Sequence, residues 1–134
     1  MPNTLATGVA YADPEFTTCY ASQEIGYSAA AQGAVTQLTS KATAVTLNKS
    51  AGRITMHNAS LSNGASISFT LNNSLISAKD VLIVNVSGGL ATSGTYIAST
   101  STLAAGSAVI SLYNISAGPL SEAVILNFAI IHGA

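Results

Sequence analysis

The sequence predicts an all-β protein: an antiparallel β-sandwich or jelly roll of about eight short strands, preceded by an extended N-terminal arm. Three observations carry this. Short apolar segments recur from residue 34 to 134, and several of them alternate apolar with polar residues. Gly, Asn and Pro residues that favour turns separate these segments. No helical apolar period persists along the chain. A chain of 134 residues suits one domain. Such a domain buries roughly two-thirds of the surface its unfolded form exposes, so it needs no metal or disulfide staple.

The expected strands are Ala34 to Leu38, Ala44 to Asn48, Arg53 to His57, Ser66 to Asn72, Val81 to Val86, Thr95 to Thr100, Ala108 to Asn114 and Ala123 to Ile131. Ser66 to Asn72 alternates most cleanly. Ile67, Phe69 and Leu71 share one face, and Ser68 and Thr70 take the other. Val45 with Leu47, and Ile54 with Met56, repeat the pattern, which suits sheets with one polar face. Val81-Leu82-Ile83-Val84 and Val124-Ile125-Leu126 are apolar on both faces. Both are therefore expected to be central strands covered on each side, one side by a neighbouring subunit. Asn63-Gly64, Gly88-Gly89, Ser93-Gly94, Ala105-Gly106-Ser107 and Ala117-Gly118-Pro119 supply the turns.

Residues 1 to 33 have a different texture. They hold Pro2, Pro14, three of the five tyrosines and three of the five acids, with no persistent period. They read as an extended arm, with room for a short helix only at Ala29-Ala30-Ala31, between Gly26 and Gly33. Tyr11, Phe16, Tyr20, Ile25 and Tyr27 on such an arm call for a partner surface, since large apolar side chains on a loose segment are wasteful in water.

Charge is the outlier of the composition. Soluble domains carry about 25% charged residues; this chain has 7%, with a net charge of −1. Eighteen Ser and fourteen Thr fill the space between apolar residues. So neutral an exterior gives little protection against self-association. Much of it is expected to meet protein, most simply further copies of the same chain.

Other classes are disfavoured. Lys41, Lys49, Arg53 and Lys79 are the only cations and they are dispersed, so nucleic acid is not an expected partner. No apolar run approaches the length of a membrane helix, and the N-terminus lacks the features of a signal peptide. Cys19 is single, so no intrachain disulfide can form. His57 and His132 are the only imidazoles, Asp80 and Glu122 are the only carboxylates beyond residue 33, and no Gly-x-Ser-x-Gly elbow occurs. An enzyme is not expected, nor is a cofactor. One metal site is open to the sequence: three copies of His132 meeting on a threefold axis could ligate an ion. Tyr96 and Tyr113 could stack on a sugar, but strand tyrosines more often pack against neighbours.

Three stretches carry a resemblance. They are Gly33-Ala34-Val35-Thr36-Gln37 running into Thr39 to Asn48, then Gly64 to Leu71 with Asn73-Ser74, and Ser116 to Ala123 leading to Asn127-Phe128-Ala129-Ile130-Ile131. Together they resemble a module of structural proteins in tailed bacteriophages and prophages, across about the last hundred residues. The resemblance implies a β-rich virion component made in the bacterial cytoplasm. That component would be a capsid decoration (cement) protein, a head fibre or a tail-fibre tip. Such proteins are commonly trimers. The implied partners are the major capsid protein or another virion protein and, for a fibre knob, a host-surface glycan. No catalytic or metal-binding residues transfer with it, and residues 1 to 33 lie outside it.

Overall fold

The computed structural model describes residues 16–133. Eight strands form: β1 (Gln32–Thr36), β2 (Val45–Thr46), β3 (Ala51–Thr55), β4 (Ser66–Asn72), β5 (Val81–Gly88), β6 (Tyr96–Ala104), β7 (Ser107–Asn114) and β8 (Ile125–Ile131). Each coincides with an expected strand to within a few residues. The one helical turn is a short 3-10 helix at Ala29–Ala31, where the alanine triplet sits.

The strands make two four-stranded sheets packed face to face, a β-sandwich. The first sheet has the order β1-β3-β8-β5 and the second β2-β4-β7-β6. Four of the six pairings are antiparallel; β1 with β3 and β2 with β4 are parallel. The parallel pairs follow from the path of the chain. It crosses to the other sheet after each of its first five strands, so β1 and β3 are separated by a strand on the opposite layer. Only β6 and β7 form a hairpin, and Gly106 closes it at φ +79°.

Inward rows from both sheets build one core. Ile54, Leu126, Phe128, Ile130, Leu82 and Val84 from the first sheet meet Val45, Phe69, Leu71, Tyr96, Ala108, Ile110 and Leu112 from the second. Leu61, Ile76 and Val124 close the ends. The alternation read in β4 is realised: Phe69 and Leu71 are buried, Ile67 is partly buried, and Ser66 and Ser68 are exposed. Burying a Leu, Ile or Phe side chain contributes about 1.5–3 kcal/mol, so these rows dominate the stability. Two glycines make the sheets fit at one end. Gly33 and Gly52 are register partners. A Cβ on Gly52 would come within 2.7 Å of Leu47 and 2.9 Å of the Gly33 carbonyl oxygen.

The central place expected for the doubly apolar runs holds for β8 and fails for β5. Strand β8 is central, between β3 and β5. Strand β5 lies at the sheet edge, and its outward residues Val81 and Ile83 are 56% and 44% exposed. Among the described residues the outward side chains Val81 and Ile83 of β5 have no cover.

Candidate interaction surfaces

Residues 16 to 28 of the arm lie outside both sheets, whereas Gln32 and Gly33, at its expected end, already belong to β1. Residues 16 to 28 form no strand or helix, and Phe16, Tyr20 and Ile25 are 65%, 92% and 87% exposed. Tyr11, the fifth residue expected on this surface, lies outside the described residues. Tyr27 marks where the arm joins the body: it is half-buried, and its hydroxyl donates to the backbone carbonyl of Ile130 in β8. Lys49 reinforces the junction by donating through Nζ to the Ala30 carbonyl at 2.9 Å. The described part of the arm is thus tethered at Tyr27 and bare from Phe16 to Ile25.

The outer face of the first sheet begins at that root. A groove of about 640 Å³ is lined by Tyr27, Gln32 to Ala34, Ala51 to Arg53, Asn127 and Phe128. Its floor is shallow because small residues cross the sheet there. In register, Gln32 opposes Ala51, Ala51 opposes Ala129, and Ala129 opposes Ile83. The next rung pairs Ile131 with Val81, both more than half exposed. An apolar ledge therefore runs from the Tyr27 groove to the β5 edge. Arg53 stands beside it, exposed, with no ion pair among the described residues.

The outer face of the second sheet is different. It is a field of hydroxyls, where Ser111 hydrogen-bonds Ser68 at 2.7 Å and also Ser101. Ile97 and Tyr113 form an exposed cross-strand pair at one end. Ser111 itself is buried, and the exposed hydroxyls of Ser66, Ser68 and Ser101 around it give this face its polarity without charge.

The loops after β3, β5 and β7 gather at one end of the sandwich. There Lys41 is buried, and its ammonium donates to the backbone carbonyls of His57 and, at 2.6 Å, Glu122. Burial pulls its pKa below the ordinary lysine value, and the Glu122 carboxylate partly opposes this. Glu122 Oε1 accepts from the Ala91 backbone N–H at 2.6 Å. Neither Glu122 Oε2 nor the buried Tyr96 hydroxyl has a hydrogen-bond partner of ordinary geometry. Burial, then the nearby Glu122 carboxylate, push the Tyr96 phenol up to about 12. Asn114, fully buried, donates to the carbonyls of Leu61 and Gly118. These contacts bind one loop to another. The buried Lys41 carried no sequence signal, because its acceptors come from residues 16 and 81 positions away.

At the opposite end Asp80 fastens the C-terminus. Its carboxylate accepts from the Ser77 N–H and hydroxyl, both at 2.8 Å, from the Gly133 N–H at 3.1 Å, and pairs with His132 Nδ1 at 3.1 Å. The expected threefold-axis role for His132 meets an imidazole already held by Asp80 on one nitrogen. No cluster of three His, Cys, Asp or Glu residues occurs among the described residues. These hydrogen bonds, the Ser77 N–H foremost, hold the Asp80 carboxyl at about 2, below the ordinary value of 3.8. A carboxyl depressed in the folded state stabilises fully above its unfolded pKa, and the benefit is lost as pH falls through the folded one. The chain should therefore lose stability between pH 4 and pH 2, and Asp80→Asn should flatten that part of the profile. Denaturant midpoints measured across this range check it; an unchanged acid slope in the variant would contradict the assignment.

No family model, curated protein or solved structure matches this chain.

Proposed function

We propose that this chain is a structural protein of a bacteriophage virion: a capsid decoration, or cement, protein that coats the head shell as a homotrimer. The observation that carries this proposal is the bare arm. Three large apolar side chains, Phe16, Tyr20 and Ile25, project from an extended segment tethered to a closed sandwich. Such a segment is suited to lie across other proteins of the shell and across neighbouring copies. Apolar burial there is worth about 25 cal/mol per Å², and a symmetric array multiplies many modest contacts. Low charge suits the same role, because few ions must be desolvated when the surfaces meet. The resemblance read from residues 33 to 131 supplies the viral context.

The test is deletion of residues 2 to 26, which spares Tyr27 and β1. The shortened protein should fold and fail to coat purified shells. Undiminished occupancy would rule out the clamp.

A second reading, a fibre knob that binds a host-surface glycan, draws on the loop end of the sandwich. A pocket of about 440 Å³ lies between Val86 to Leu90, Ser93, Gly94 and Tyr96, where the sequence placed candidate loops. Its one tyrosine is buried at 5% exposure, which leaves no ring face for a sugar to stack on. The decoration role is therefore the stronger of the two. Binding to host cells without binding to shells would reverse that order.

A further inference from the structure

We propose that the arm of one copy docks on the outer face of the first sheet of a second copy, in the groove beside Tyr27 and along the ledge formed by Ala51, Ala129, Ile83, Val81 and Ile131. This deepens the homo-oligomer part of the proposed function by naming the surface that receives the arm, and it rests on that part alone.

Two of the exposed apolar sets among the described residues are complementary in kind. The arm presents Phe16, Tyr20 and Ile25; the face presents a shallow groove and three exposed aliphatic side chains, Val81, Ile83 and Ile131. Small side chains on the groove floor leave room for rings to lie flat. Charge agrees as well. Residues 1 to 33 contain Asp13, Glu15 and Glu24 and no Lys or Arg, a formal charge of −3. Residues 34 to 134 contain four cations, Lys41, Lys49, Arg53 and Lys79, against Asp80 and Glu122, a formal charge of +2; the two sum to the −1 of the whole. An acidic arm thus meets a cationic body, with exposed Arg53 beside the groove and Glu24 next to Ile25 on the arm.

The described residues of the arm do not fill their own chain's groove. Tyr27 fixes its root at the groove's rim, yet Phe16, Tyr20 and Ile25 stay exposed. Residues 16 to 26 span roughly 36 Å when extended, enough to leave one sandwich and cross the face of the next. If each copy gives an arm and receives one, both of these surfaces are covered, and a rotation between copies that closes makes the exchange a ring. That cover is also what the outward row of β5, exposed at the sheet edge, lacks within one chain.

The natural Cys19, exposed on the arm, supplies the probe. Ile83→Cys places a second thiol on the ledge. Under mild oxidation this full-length variant should form disulfide-linked multimers on a non-reducing gel. The unaltered chain, and Ser66→Cys on the outer face of the other sheet, should not. Ile83→Cys combined with Cys19→Ser should lose the multimers. A companion variant, Ile83→Glu, keeps the core intact and should shift the solution mass from oligomer to monomer. The inference is overturned if Ile83→Cys gives only an intrachain bond, gives no bond, or crosslinks no better than Ser66→Cys, or if Ile83→Glu stays fully assembled. Should the contact fail in these ways while the protein still coats shells, the arm binds elsewhere and the decoration role stands.

Discussion

Leu126→Ala should lower the unfolding free energy by about 2–5 kcal/mol, whereas Ile83→Thr should change it by less than about 0.5 kcal/mol. Leu126 is fully buried in the central strand β8 and belongs to the inward row that meets the second sheet. Truncation there removes apolar contact and leaves a cavity that strands on either side cannot collapse to fill. Ile83 belongs to the neighbouring strand but points outward, 44% exposed. In the isolated chain it loses little when made polar. The two substitutions separate folding from assembly: one weakens the fold, and the other leaves the fold and removes part of the surface that other copies would cover. Denaturant titration of dilute protein measures both. A large loss for Ile83→Thr in the monomer would mean that the outer face is already packed within one chain.

The other large effect is expected at Gly89. It has φ +74°, a backbone region in which a non-glycine residue costs roughly 1–2 kcal/mol. Space adds to this. A Cβ there would overlap the Ala123 carbonyl oxygen and lie 3.0 Å from its carbon and 3.1 Å from the Ile125 nitrogen. These are backbone atoms at the start of β8, so no side chain can swing aside to make room. Gly94 is a built-in control, with φ +78° and nothing within 4 Å of the same Cβ. Gly94→Ala should therefore show only the conformational cost, and Gly89→Ala that cost plus the clash. The clash would also displace the loop whose Ala91 N–H holds Glu122. Equal thermal stabilities for the two variants would contradict the close packing of this loop against residues 123 to 125.

Much of the fold was legible because strand periodicity is a local property. Ser66 to Asn72 alternates, and its faces divide as read. Sheet order is not local. Val81 to Val84 is apolar on both faces, which states that both faces favour cover; it does not state where the cover comes from. A central place in the sheet was the simplest inference, and β5 instead took an edge. The two parallel pairs were hidden for the same reason, since no strand's sequence records which layer it joins. The close approach of Leu47 to Gly33 and Gly52 leaves no local trace either, because it depends on segments that meet only in the folded chain. The buried Lys41 was equally silent.

The interaction surface divides in the same way. An arm rich in Tyr and Phe ahead of a strand-forming body is visible as a change of texture, and four of its five named residues are found on or at the root of an exposed segment. The surface opposite them was not visible. It is assembled from β1, β3, β5 and β8, whose residues are up to about a hundred positions apart, and it exists only once the register aligns Ala51, Ala129 and Ile83.

The central claim is that neighbouring protein covers an exterior with so little charge. Light scattering of the full-length chain over a range of concentrations addresses it most directly. A mass near three times 13.4 kDa, falling to that of a single shortened chain when residues 2 to 26 are removed, is the predicted result. A full-length chain that stays at 13.4 kDa and remains dispersed at high concentration would contradict it.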